Sequence, residues 1–71
     1  MKNRLGIIGG GQLGMMITEA AQNLSDEISE FTVLDPTENC PAAQAGAKQI
    51  VGNFKDEDAI VKLAEQSDII T

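Results

Sequence analysis

The chain has no histidine and a single cysteine. One cysteine excludes an internal disulfide, and a reduced, cytosolic setting is the simpler reading. Cys40 has no histidine or second thiol beside it, so it is neither a metal site nor an activated nucleophile. It is expected to be a bystander. Basic residues are also scarce. Five Lys and Arg stand against eleven Asp and Glu, a formal net charge of −6. That balance lacks the basic footprint a nucleic-acid binder needs, yet it does not oppose phosphate binding through backbone groups. No apolar run approaches the length of a membrane span. Lys2 and Arg4 lead into an apolar segment broken by glycines, which reads as a mature cytosolic start rather than a signal peptide. Solenoid-period repeats and low-complexity tracts are absent. The length of 71 residues allows one domain with a small core.

Glycine, by contrast, is concentrated in one place. Leu5-Gly6-Ile7-Ile8-Gly9-Gly10-Gly11-Gln12-Leu13-Gly14 reads as a short apolar strand, a glycine turn and a helix start. Gly9, Gly11 and Gly14 satisfy G-x-G-x-x-G, with Gly10 inside it. A strand that turns at once into a helix needs positive φ or crowded backbone, which glycine tolerates. The free N–H groups of the helix start, at the positive end of its dipole, suit a phosphate. Gly14 would let the helix pack close to the strand. An acid, Asp35, follows roughly 20 residues later, as in dinucleotide-binding loops. A tight turn whose glycines serve packing alone is the plainer alternative.

Further along, Leu13, Met16, Ile17, Ala20, Ala21 and Leu24 recur at helical spacing and predict a buried stripe, with Glu19 in solvent. Met15 and Met16 are expected as core filler. The polar stretch from Asn23 to Glu30 is a loop candidate. Phe31 to Leu34 predicts a second strand, ended by Asp35-Pro36 because proline cannot donate to a ladder. Asp35 thus falls at the carboxyl end of a strand, the edge where open α/β sheets bind ligands. Pro41 to Ala45 suits one helical turn stopped by Gly46. Lys48 to Val51 predicts a third strand, stopped by Gly52. A second helix is expected from Asp56 to Gln66, with Asp56 as N-cap and Ile60, Leu63 and Ala64 buried. Asp56, Glu57 and Asp58 read as a solvated helix start rather than a metal site. Asp68 to Thr71 predicts a fourth strand.

The order β-α-β-(turn)-β-α-β implies an α/β fold, a Rossmann-like parallel sheet with strand order 3-2-1-4. The fourth strand closes the chain with no helix to cover it. Residues 1–71 are therefore expected to be an incomplete N-terminal domain of a longer protein, truncated after that strand.

Several stretches together go beyond the glycine motif. Gly6-Ile7-Ile8-Gly9-Gly10-Gly11-Gln12-Leu13-Gly14-Met15-Met16 resembles the opening of the N5-carboxyaminoimidazole ribonucleotide synthetase family. Val33-Leu34-Asp35-Pro36, Cys40-Pro41-Ala42-Ala43-Gln44, Ala59 to Glu65 and Ser67 to Thr71 resemble the same family, so the likeness runs along nearly the whole chain. Departures are mild: the family often carries a basic residue where Met15 stands, and the insert around Ser25 to Glu30 is longer than usual.

The resemblance implies an ATP-grasp ligase of purine biosynthesis whose N-terminal part is a pre-ATP-grasp domain. ATP and bicarbonate would form carboxyphosphate, and its carboxyl group would pass to the exocyclic amine of 5-aminoimidazole ribonucleotide, releasing ADP and phosphate. It further implies a cytoplasmic enzyme, homodimeric at full length, with its ATP and magnesium sites beyond Thr71. This fragment would then be catalytically silent. By the same analogy Gly10, Gly11, Gln12 and Leu13 would face the ribonucleotide, their N–H groups toward its 5′-phosphate. Gln12 could add a side-chain amide. Asp35 would line the same crevice, or form an Asx-type turn with Pro36. Two other readings stay open: an NAD(P)-binding oxidoreductase domain, which the glycine fingerprint and Asp35 favour, and a non-catalytic module that contacts other chains.

Overall fold

A computed structural model describes residues 3–24 and 26–71. The elements run β1 (Asn3–Ile8), α1 (Gln12–Gln22), β2 (Ile28–Asp35), α2 (Pro41–Gln44), β3 (Lys48–Val51), α3 (Glu57–Glu65) and β4 (Ile69–Ile70). The strands form one sheet in the order β3-β2-β1-β4, and every pair is parallel. This is the α/β architecture and strand order expected from the alternation of elements.

The sheet separates two cores. On one side Leu5, Ile7, Val33, Cys40, Ala42 and Ala47 pack with Ala21 of α1. On the other, Leu34 packs with Ala59 and Leu63 of α3. Val33 and Leu34 are adjacent and both fully buried, because successive strand residues face opposite sides. A strand covered on both faces accounts for the apolar run of β2. Buried Thr18 donates its hydroxyl to the Gly14 carbonyl one turn back, at 2.9 Å, and so enters the core without an unpaired oxygen.

Three expectations need correction. The strand β2 begins at Ile28, not Phe31, and Asn3 pairs with Ile28, so the end of the expected loop, Ile28 to Glu30, is strand. Ser25, in the insert, lies outside the described residues. The stripe of α1 is also displaced. Gly14, Thr18 and Ala21 are buried, whereas Leu13, Met16, Ala20 and Leu24 are exposed, Leu13 by 71%. At 3.6 residues per turn the two faces lie roughly a third of a turn apart. On α3, Ala59 replaces Ala64 in the buried set. The helix docks there over Gly52, where even a methyl group would come within 2.8 Å of the Ala59 Cβ. Cys40 is 2% exposed and fills the core beneath the glycine loop.

Candidate functional site

The site begins where β1 ends. Gly9 has φ +97°, a left-handed conformation that side chains other than glycine rarely adopt. Its N–H donates to the Leu34 carbonyl at 2.9 Å, extending the β1–β2 pairing by one residue before the chain leaves the sheet. Two residues later α1 starts. A Cβ on Gly14 would run into the Gly9 carbonyl oxygen, so this glycine brings helix and strand into direct backbone contact.

The first turn of α1 is bare. Its N-cap, Gly11, offers no side-chain hydrogen bond, and the turn contains no acid. The first helical N–H to find a partner is that of Met15, which donates to the Gly11 carbonyl at 2.9 Å. Among the described residues, nothing accepts the N–H groups of Gly11, Gln12 and Leu13. Three aligned donors at the positive end of a helix dipole form an anion-binding arrangement. They open on a cleft of about 410 Å³ at the carboxyl edge of the sheet. The cleft is lined by Gly9, Gly11, Gln12, Leu13 and Gly14, backed by Ile7, Ile8 and Ile17 and bounded by Thr71. Nothing lies within 4 Å of where a Gly11 Cβ would stand, so this residue faces open space.

Of the five expected site residues, Gly11, Gln12 and Leu13 meet in this cleft, while Gly10 and Asp35 do not line it. Gly10 is buried, and a Cβ there would collide with the Cys40 sulfur. Its N–H donates to Asp35 Oδ2 at 2.9 Å, and its carbonyl accepts the Ala42 N–H at 2.9 Å. The other Asp35 oxygen, Oδ1, accepts the Thr37 N–H at 2.8 Å, an Asx-type turn across Pro36. Gln49 on β3 braces the same corner. Its Nε2 donates to the Thr37 carbonyl at 2.7 Å and the Asp35 carbonyl at 3.2 Å, while its Oε1 accepts the Cys40 N–H at 3.3 Å. Gln49 carries no motif signal; only the adjacency of β2 and β3 brings it to the loop.

Among the described residues, no three His, Cys, Asp or Glu side chains converge as a metal site. Asp56 Oδ1 instead accepts the Asp58 and Ala59 N–H groups at 3.0 and 3.3 Å. No described helix is long and apolar enough to cross a membrane.

Comparison with known proteins adds to this geometry. The family model of the ribonucleotide synthetase pre-ATP-grasp domain matches residues 1–71. The N5-carboxyaminoimidazole ribonucleotide synthase of Brucella melitensis is 46% identical over 67 residues, covering 94% of this chain and 18% of that protein. Its Staphylococcus epidermidis counterpart is 43% identical over 67 residues, 94% of this chain and 17% of that protein. The crystal structure of the Thermotoga maritima synthetase superposes with a TM-score of 0.87 at 43% identity, over 96% of this chain and 18% of that chain. An ADP complex of such a synthetase gives a TM-score of 0.88 at 46% identity, over 97% of this chain and 18% of that chain. The chain thus spans less than a fifth of the curated relatives it matches.

Proposed function

Because the chain belongs to the ribonucleotide synthetase pre-ATP-grasp family, we propose that it is the N-terminal, substrate-facing domain of an N5-carboxyaminoimidazole ribonucleotide synthetase. The full-length enzyme would serve purine biosynthesis in the cytoplasm, as a homodimer. ATP would phosphorylate bicarbonate to carboxyphosphate. The exocyclic amine of 5-aminoimidazole ribonucleotide would attack its carbon, and inorganic phosphate would leave. Residues 1–71 contribute binding to this sequence rather than bond making.

The observation that carries this reading is the uncapped start of α1, opening on a cleft at the carboxyl edge of the sheet. The N–H groups of Gly11, Gln12 and Leu13 hold the ribonucleotide 5′-phosphate. The Gln12 amide adds a bond to phosphate or ribose, and Ile17 backs the cleft with an apolar wall. ATP, and magnesium to neutralise charge on its phosphates, would bind beyond Thr71. Turnover of ATP by residues 1–71 alone would contradict the assignment.

The test uses the full-length product of the source gene. ADP release is followed with ATP, magnesium and bicarbonate, with and without 5-aminoimidazole ribonucleotide. Release that depends on the ribonucleotide is expected. With Gln12→Ala the ribonucleotide KM rises by about tenfold, as for one lost hydrogen bond to a charged group. Absence of stimulation, together with tight NADH binding, would turn the glycine loop into a dinucleotide site.

A further inference from the structure

We propose that Asp35 is a positioning residue for the phosphate loop and not a ligand of the sugar. The inference rests on the functional reading above and deepens it. In a dinucleotide-binding loop, the acid after the second strand accepts hydrogen bonds from ribose hydroxyls. Here both carboxylate oxygens already accept backbone N–H groups, Oδ2 from Gly10 and Oδ1 from Thr37. Hydrogen bonds to a carboxylate are the stronger kind. They fix the Asp35 side chain toward the glycine loop, outside the lining of the cleft.

The effect of this latch falls on Gly10. Its N–H is tied to Asp35 and its carbonyl to the Ala42 N–H, and Cys40 and Val33 leave no room for a Cβ on it. With that peptide fixed, the next three N–H groups have one orientation, into the cleft. Gln49 fixes the latch in turn by holding the carbonyls of Asp35 and Thr37. The Asp35 carbonyl also accepts the Gly52 N–H at 3.2 Å. The loop is therefore preorganised before an anion arrives, which lowers the ordering cost of binding. Specificity follows from the same contacts. Recognition at this loop falls on the phosphate, so a phosphate monoester is favoured over a dinucleotide that needs its ribose read by Asp35.

The two roles separate when the probe has no sugar. In the full-length enzyme, the ribonucleotide KM and the inhibition constant of inorganic phosphate against the ribonucleotide are measured for wild type, Asp35→Asn and Gln49→Ala. A positioning role predicts that Asp35→Asn raises both constants by the same factor, about tenfold to a hundredfold, with kcat and the ATP KM little changed. Gln49→Ala, which touches no part of the cleft, shifts both in the same direction by less, and tests the latch even where Asp35→Asn fails to fold. A raised KM with unchanged phosphate inhibition overturns the proposal and makes Asp35 a sugar ligand. Unchanged values for both constants overturn it as well. If the wild type shows no ribonucleotide-dependent ADP release, the functional reading fails instead. The latch is then judged by phosphate binding in phosphorus NMR: weaker binding in Asp35→Asn supports it, and no binding by the wild type overturns it.

Discussion

The helices α1 and α3 begin in opposite ways. Helix α3 starts from Asp56, whose carboxylate accepts the N–H groups of Asp58 and Ala59, and Glu57 and Asp58 place further negative charge in its first turn. Helix α1 starts from a glycine with no cap and no acid. Both pack on one small sheet, so the difference is not one of fold. A helix end left without partners in water forgoes stabilisation of about 0.5–2 kcal/mol that a side-chain cap supplies. At α1 the position is instead held by backbone contact, Gly14 against Gly9, and by the Asp35 latch on Gly10. One terminus is finished by its own side chains; the other leaves the donors of its first turn open to the cleft.

The strongest way to break this contrast is to finish α1 as α3 is finished. Gly11 has φ −71° and open space around its Cβ position, so an ordinary side chain fits there. In Gly11→Asp the carboxylate caps the first turn and occupies the place proposed for the phosphate. The expected result is a thermal midpoint equal to or above that of wild type. The ribonucleotide KM rises by about a hundredfold or more, since like charges in contact cost several kcal/mol. Gly11→Ala is the control, with a small change in both. If Gly11→Asp retains its affinity, the bare terminus is not the anion site.

The next effect concerns what holds α1 in the absence of a cap. Gly14→Ala drives a methyl group into the Gly9 carbonyl oxygen, and the loss should be about 1–3 kcal/mol, read from thermal or denaturant unfolding. The higher helix propensity of alanine offsets part of it. At the opposite terminus, Asp56→Ala removes the cap from α3 and should cost about 1 kcal/mol while leaving the ribonucleotide KM unchanged. A KM that moves with Asp56→Ala would couple the two termini and dissolve the distinction.

The same contrast explains what was legible in the sequence. Capping is local, so Asp56 marked the start of α3 to within a residue. The glycine loop and the strand order also follow from local pattern and chain handedness. Apolar spacing alone misplaces the buried face of α1: Leu13, Met16 and Leu24 of the predicted stripe are exposed. Close approach to the sheet instead selects small residues there, Gly14, Thr18 and Ala21. The brace by Gln49 was invisible for another reason. A glutamine on a short strand carries no signal until β3 is placed beside β2. Asp35 was legible as a residue at the right edge of the sheet, but its hydrogen bonds to Gly10 and Thr37 depend on a loop conformation that spacing does not specify.

Arg4 sharpens the comparison at the other end of α3. Its guanidinium pairs with Asp68 at 3.2 Å and donates to the Glu65 carbonyl, the last residue of the helix, at 3.4 Å. Its backbone N–H also donates to Asp68 Oδ2 at 2.8 Å. Thus α3 is satisfied at both ends, and the same contacts pin the start of β4, which pairs with β1 at only two positions, Leu5↔Ile69 and Gly6↔Ile70. The Arg4 side chain, and then its backbone N–H, hold the Asp68 carboxyl below its ordinary range. A carboxyl with a depressed folded pKa stabilises above its unfolded pKa and loses that contribution as pH falls through the folded value. The pair should therefore stabilise β4 fully at neutral pH and fade below about pH 4. With both side chains about two-fifths exposed, the effect is small and weakens further in high salt. An NMR titration of the Asp68 carboxyl in low and high salt reads the depression directly. Asp68→Asn should speed exchange of the Thr71 amide, which donates to the Gly6 carbonyl at 2.9 Å, and leave the glycine loop unaffected. Faster exchange confined to α1 would mean that the open terminus, and not the β4 edge, depends on this pair.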